Sequence, residues 1–219
     1  MKIAVISANI GGIDNILEIP EQTVKYDRII IDENNLPFPL PNLDNRTKAR
    51  FIKINPHKFL PGYDAFIWLD GRVEVTHKGF VDMFANNLKG KDFVCTTHYE
   101  RKSIIQELEF ILHEMNKGNH YLISRYGFQN MRKELEFYLE SGYPNSDYPL
   151  FCSGMFARWN TAKINEACDE WFLKSIEFTN FDQAFLSWII WRYQLKTKHI
   201  PFENKYFKLN KHKSHDNKY

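Results

Sequence analysis

The sequence predicts a single-domain α/β protein built on a mixed, mainly parallel sheet flanked by helices. Apolar, β-branched runs that close on polar residues alternate along the chain with segments whose apolar residues recur every three or four positions. The runs begin almost at the first residue and read as strands covered on both faces. A chain of 219 residues with 43% hydrophobic content is enough for one substantial core and lies near the upper end of one such domain. Residues 1–195 are read as the domain and 196–219 as a basic C-terminal tail or flap of it.

The elements follow in order. Ile3 to Ser7 is a buried strand ending in Ala8-Asn9-Ile10-Gly11-Gly12, a tight loop. Arg28 to Asp32 is a second strand. Pro37, Pro39 and Pro41 make Asn34 to Asn42 an ordered loop, because proline cannot pair in a central strand. Thr47 to Ile54 is a basic helix that stops at Asn55-Pro56. Asp64 to Gly71 is an apolar strand closed by Asp70. Phe80 to Leu88 is a helix, and Asp92 to Thr97 a strand ending at His98. Ile104, Ile105, Leu108, Ile111, Leu112 and Met115 recur at helical spacing, as do Met131, Leu135, Tyr138 and Leu139. Leu150 to Arg158 alternates as a strand does. Thr161 to Phe172 is an amphipathic helix, and Phe181 to Trp191 an aromatic-rich one with Asn180 as its polar cap. The segment from Lys196 is either a flexible end or a flap ordered by ligand.

Composition excludes several classes. With 29 basic against 27 acidic residues there is no field of the size a dedicated nucleic-acid binder needs. Cys95, Cys152 and Cys168 are widely spaced, which disfavours a disulfide framework or a zinc site and suits reduced core residues. The apolar start is too short for a signal sequence, and no run approaches the ~20 residues of a membrane span. The expectation is a cytoplasmic protein, meeting any membrane-linked acceptor from outside the bilayer.

In a sheet of this kind ligands bind beyond the carboxyl ends of the strands. Ser7-Ala8-Asn9, Asp70-Gly71 and His98 all fall there. Asp70 is costly after Phe66-Ile67-Trp68-Leu69 unless it is solvated, paired or metal-bound, and Mg or Mn bridging two phosphates would be such a partner. Asp70-Gly71 is equally a common turn pair. His98-Tyr99-Glu100-Arg101 offers an imidazole and a guanidinium for phosphate or sugar oxygens, or is a surface loop. Glu107 orients Arg101, accepts a sugar hydroxyl, or is an exposed helix residue. Asp182-Gln183 is a helix start, or a general base or acceptor-binding pair. Arg46, Lys48, Arg50 and Lys53 either meet a diphosphate or form a solvated face. There is no Walker A sequence and no GxGxxG.

Several motifs recur together: the strand Lys2 to Asn9, then Arg50-x-x-Lys53-x-x-Pro56-His57, then Tyr63-Asp64-Ala65-Phe66-Ile67-Trp68-Leu69-Asp70-Gly71. They continue with His98-x-x-Arg101 and Glu107, Ser153-Gly154, and Asp182-Gln183 before Ala184-Phe185-Leu186-Ser187. In order and approximate spacing, over about residues 1 to 195, this series resembles the glycosyltransferase-like domain of plant mucilage-related proteins and of bacterial and viral relatives. The resemblance implies a GT-A-like, Rossmann-like fold and transfer of a sugar from a nucleotide diphosphate sugar, UDP-linked by expectation, to a glycan, lipid-linked or other hydroxyl acceptor. It implies that Ser7, Ala8 and Asn9 line the nucleotide pocket; by their own chemistry Arg50, Lys53, Arg72, His98 and Arg101 are expected to meet the nucleotide sugar. Asp70 then stands at the metal-binding acidic motif, Asp182 serves as base, and Glu107 and Gln183 lie on the acceptor side. The implied cofactor is Mn or Mg, held by Asp70 and a late histidine such as His212. The usual Asp-x-Asp pair is absent, because Arg72 stands two positions after Asp70. Either the metal is shared with the substrate's phosphates, or Arg72 neutralises the diphosphate without one. Inverting and retaining transfer both remain open. The rival readings are a metal-dependent nucleotidyltransferase or hydrolase and a nucleotide-sugar or carbohydrate binding module without catalysis.

Overall fold

The computed structural model describes residues 1–37, 39–40, 43–144, 148–202 and 205–210. Six strands form the main sheet: β1 (Ile3–Ala8), β2 (Asp27–Ile31), β3 (Ala65–Leu69), β5 (Phe93–Thr97), β6 (Phe151–Trp159) and β7 (Thr197–Ile200), in the order β2-β1-β3-β6-β5-β7. All run parallel except β6, which is antiparallel to both β3 and β5. The expected mixed, mainly parallel sheet is therefore present. The one reversed strand brings the start of β6 beside the carboxyl end of β3, with Leu69 opposite Met155 and the Asp70 amide donating to the Gly154 carbonyl at 2.8 Å.

Strand residues alternate between two apolar layers, because successive side chains point to opposite faces. Ala4, Ile6, Phe66, Trp68, Phe93 and Phe156 face one layer. It is completed by α1 (Asn45–Ile54), α3 (Ile104–Asn116), α5 (Phe128–Glu140), α6 (Ala162–Glu177) and α7 (Asp182–Arg192). Val5, Ala65, Ile67, Leu69 and Ala157 face the other, covered by α2 (Phe80–Asn87) and by a two-stranded ribbon of β4 (Val73–Val75) and β8 (Phe207–Leu209). Phe80 and Phe84 are wholly buried in that layer, each burial contributing roughly 1.5–3 kcal/mol.

The local chemistry explains where the structure departs from the sequence reading. α1 begins at Asn45, two residues early, because Asp44 caps it by accepting from the Thr47 amide at 2.7 Å. Asn180 is not the cap of α7. It takes φ 57°, a region that asparagine tolerates, and its side-chain amide donates to the Thr47 hydroxyl at 2.8 Å. α6 continues past Phe172 to Glu177. A seven-residue helix, α4 (His120–Tyr126), is capped by Asn119 and closed by Gly127 at φ 69°. It is too short to declare itself by periodicity. The basic C-terminal segment, expected as a flexible end or flap, supplies β7 to the main sheet and β8 to the ribbon. No helix among the described residues is long and apolar enough to cross a membrane.

Candidate active site

At the carboxyl ends of β1 and β3 lies a cleft of about 490 Å³. The β1 end contributes Ala8 and Asn9, and the Asn9 side chain pins the following loop through bonds to the backbone of Asp14 at 2.9 and 3.1 Å. Asp70 reaches the cleft from the end of β3 and stays partly exposed. Residues i and i+2 of a strand share a face, so Trp68 stands beside Asp70 and its indole N–H donates to Oδ1 at 2.6 Å.

α1 presents Arg46, Arg50 and Lys53 to this cleft at i, i+4 and i+7, one face of the helix. They are the inward part of a basic segment whose sequence alone fits either phosphate binding or a solvated face. Arg50 and Lys53 are 8% and 6% exposed and close on Asp182 at the start of α7. Arg50 Nη2 lies 3.1 Å from Asp182 Oδ1, and Lys53 Nζ 2.6 Å from Oδ2. Lys53 Nζ also lies 3.4 Å from Asp70 Oδ1 and 3.3 Å from the Ser153 hydroxyl. Burial alone would raise the Asp182 carboxyl, but Lys53 and Arg50 outweigh it and hold Asp182 far below the usual carboxylate range. A carboxylate stabilised in this way is a weak proton acceptor. The geometry lets Asp182 orient the two cations.

A second cavity of about 480 Å³ adjoins the first, and Arg72, Gly154 and Gln183 line both. His98 and Arg101 belong to this second cavity, so the strand ends of the sequence reading surround two adjoining spaces instead of one. Burial and the neighbouring Arg101 lower the His98 imidazole to about 4, leaving it neutral at pH 7. Its Nδ1 accepts from the Arg101 amide at 3.0 Å. Glu107 lies behind Arg101 and takes its Nε–H, the orienting role among those considered. None of the described residues lining this cavity is a carboxylate.

One expected residue lies elsewhere. Ser7 is 1% exposed and absent from the cleft wall; its hydroxyl donates to the Leu69 carbonyl at 2.7 Å and accepts from Arg28 at 2.8 Å, tying β1 to β3 and β2. His212 falls outside the described residues. Conversely, Asp14, Tyr121, Arg125 and Tyr126 line the first cleft unforeseen. Asp14 crowds Gly71 so closely that a Cβ there would stand 2.5 Å from the Asp14 Cβ, which is a packing reason for glycine after Asp70.

A Mg or Mn ion needs oxygen ligands at about 2.0–2.2 Å. Asp70 Oδ1 already accepts the indole N–H and faces an ammonium at 3.4 Å, and an ion on that oxygen would have to displace Lys53. No cluster of three His, Cys, Asp or Glu side chains occurs among the described residues. The described donor set does not fit a protein-held metal.

No protein-family model and no curated protein matches the chain. Solved structures do. Mouse xyloside xylosyltransferase 1, in its apo form, aligns over 91% of this chain and 85% of its own, with a TM-score of 0.51 and 9% identity. A glycosyltransferase involved in the glycosylation of the major capsid of PBCV-1 aligns over 91% and 82%, with a TM-score of 0.49 and 10% identity. A197 from STIV aligns over 96% and 95%, at 0.43 and 10%. At this identity the likeness to the xylosyltransferase concerns the fold: one α/β domain of the GT-A kind, with helices on both faces of a mixed, mainly parallel sheet.

Proposed function

We propose that the protein is a glycosyltransferase that moves a sugar from a nucleoside diphosphate donor, UDP-linked by expectation, to a hydroxyl of a glycan or lipid-linked acceptor. The observation that carries this reading is the cleft's charge. Among the described residues its wall holds five cations, Arg46, Arg50, Lys53, Arg72 and Arg125, against three carboxylates, Asp14, Asp70 and Asp182. The excess of two positive charges suits a diphosphate. The adjoining carboxylate-free cavity gives an acceptor its own place, with Arg72 and Gln183 at the junction.

In such a transfer the bond from the anomeric carbon to the diphosphate breaks with its electron pair going to the phosphate oxygen, while an acceptor hydroxyl oxygen bonds to that carbon and gives up its proton to the departing diphosphate or to solvent. Positive charge develops at the sugar and negative charge on the leaving group. In this reading Asp70 is the carboxylate nearest the sugar, accepting its hydroxyls and opposing the developing positive charge. Lys53, fixed by Asp182 and Ser153, and Arg72 oppose the developing negative charge. Ala8 and Asn9 flank the nucleotide, and Gln183, His98 and Arg101 face the acceptor.

A thermal-shift screen against nucleoside diphosphate sugars tests the reading. It expects one donor class to raise the melting temperature in a concentration-dependent way. No stabilisation by any of them at millimolar concentration would remove it.

A further inference from the structure

Among the described residues three guanidiniums of the cleft, Arg46, Arg72 and Arg125, lack an acid partner, and they differ in how they are held. Arg72 makes no side-chain hydrogen bond or ion pair among the described residues, and its Nε is buried. Its backbone is nonetheless fixed on both sides. The Arg72 carbonyl accepts from the Asn210 amide at 2.9 Å, and Val73 next to it pairs with Leu209 in the β4–β8 ribbon. Arg125, at the end of α4, donates Nε–H to the Tyr126 hydroxyl at 3.1 Å and Nη1–H to the Tyr121 hydroxyl at 2.5 Å. Its guanidinium lies 5.4 and 5.5 Å from the centres of those two rings. No carboxylate among the described residues pairs with it. Two tyrosines therefore hold the group rigid without neutralising it, and its Nη2 makes no hydrogen bond among the described residues.

The other cations of the cleft already have their terminal N–H groups committed. Arg50 and Lys53 meet Asp182, and Lys53 also meets Asp70. Arg46 gives its Nη1 and Nη2 to the carbonyls of Arg125 and Asn180, at 3.0 and 2.7 Å, which ties α1 to both Arg125 and the approach to α7. An unpaired guanidinium with one face open is suited to the paired oxygens of a phosphate.

We infer that Arg72 and Arg125 form a guanidinium clamp that holds the diphosphate of a nucleoside diphosphate in this cleft without a divalent ion. The inference rests on the glycosyltransferase reading for the nucleotide, and on the pairings above for the clamp. Arg72, beside Asp70, takes the end of the diphosphate nearer the sugar. Arg125 makes helix α4 a donor-binding element.

Isothermal titration calorimetry with UDP and with inorganic pyrophosphate, first in EDTA and then in Mn, tests it on the full chain. Pyrophosphate reports the clamp whatever the base of the true donor. The expected result is that at least pyrophosphate binds in EDTA, with an affinity that Mn changes by less than about threefold, and that Arg72→Gln and Arg125→Lys each weaken it by about tenfold or more. Arg72→Gln has no side-chain bond to lose, so it keeps the fold even where Arg125→Lys loosens α4. Lys48→Gln, which removes a charge from α1 outside the cleft wall, keeps the affinity within about twofold. Binding only when Mn is present, or binding unchanged in both arginine variants, overturns the clamp and leaves the glycosyltransferase reading standing. Failure of both ligands to bind with or without Mn overturns the clamp and the reading together.

Discussion

Asp70 was visible as a carboxylate placed awkwardly after an apolar strand, and its neighbours explain what compensates it: an indole N–H, an ammonium and the open cleft. Asp182 was visible only as a helix-start acid, because its partners come from α1, more than a hundred residues away in sequence. Asp182→Asn leaves Arg50 and Lys53 short of charge in a buried place. It should lower the unfolding free energy by about 3 kcal/mol in urea titration, whereas a residue acting only as a base would leave stability unchanged. Gly154→Ala probes the cleft more selectively. The added Cβ would stand 3.0 Å from Asp70 Oδ2, so Asp70 must give slightly, and sugar transfer should fall by about tenfold while the melting temperature hardly moves. Glu134, on α5, is wholly buried and accepts from the Thr179 amide and hydroxyl and from Tyr138. Burial pushes its carboxyl up to about 7, against the pull of those hydrogen bonds, from an ordinary 4.5. The folded protein thus keeps a proton that the unfolded chain releases, so this contribution is full below about pH 4.5, fades as pH rises to about 7, and costs about 3 kcal/mol above that. Glu134→Gln should therefore gain stability over the wild type at about pH 8 and not at about pH 4, as unfolding at the two pH values would report.

At the scale of elements, the long strands and helices were legible because their apolar periodicity is their burial pattern. The missed ones, α4, β4, β7 and β8, span three to seven residues and take their stability from tertiary pairing, which no local period records. They nonetheless shape the site: α4 carries Arg125, and the β4–β8 ribbon fixes the backbone around Arg72. α1 is docked by a different device. Arg158 on β6 is fully buried and donates to the Ile54 carbonyl at 3.2 Å, to the Trp159 carbonyl at 3.1 Å and to Asn165 at 3.0 Å, while its guanidinium lies over Phe66. It thereby satisfies one of the carbonyls that the end of a helix leaves open. Arg158→Leu strands these acceptors in the core, and we expect a loss of about 3 kcal/mol or more in equilibrium unfolding; a loss under about 1 kcal/mol would show that Arg158 does little to hold α1.

For the whole molecule, strand and helix alternation was enough to foresee the sheet and the end at which its cleft opens. The single reversed strand was not foreseeable, since the pattern of β6 does not encode its direction. That reversal is what sets Ser153 and Gly154 beside Asp70 and so joins the two cavities. The division of the cleft into a cationic half and a carboxylate-free half is likewise a product of assembly, drawing on α1, α4, α7 and the ends of β1, β3 and β5. The most direct test of the central claim is mass-spectrometric detection of products from a panel of nucleoside diphosphate sugars with glycan and lipid-linked alcohol acceptors, for the wild type and for Asp70→Asn. The account predicts that the wild type releases the nucleoside diphosphate from one donor class and joins its sugar to an acceptor hydroxyl, and that Asp70→Asn is slower by roughly a hundredfold or more. Donors left intact by the wild type across the panel, or an Asp70→Asn variant as fast as the wild type, would contradict it.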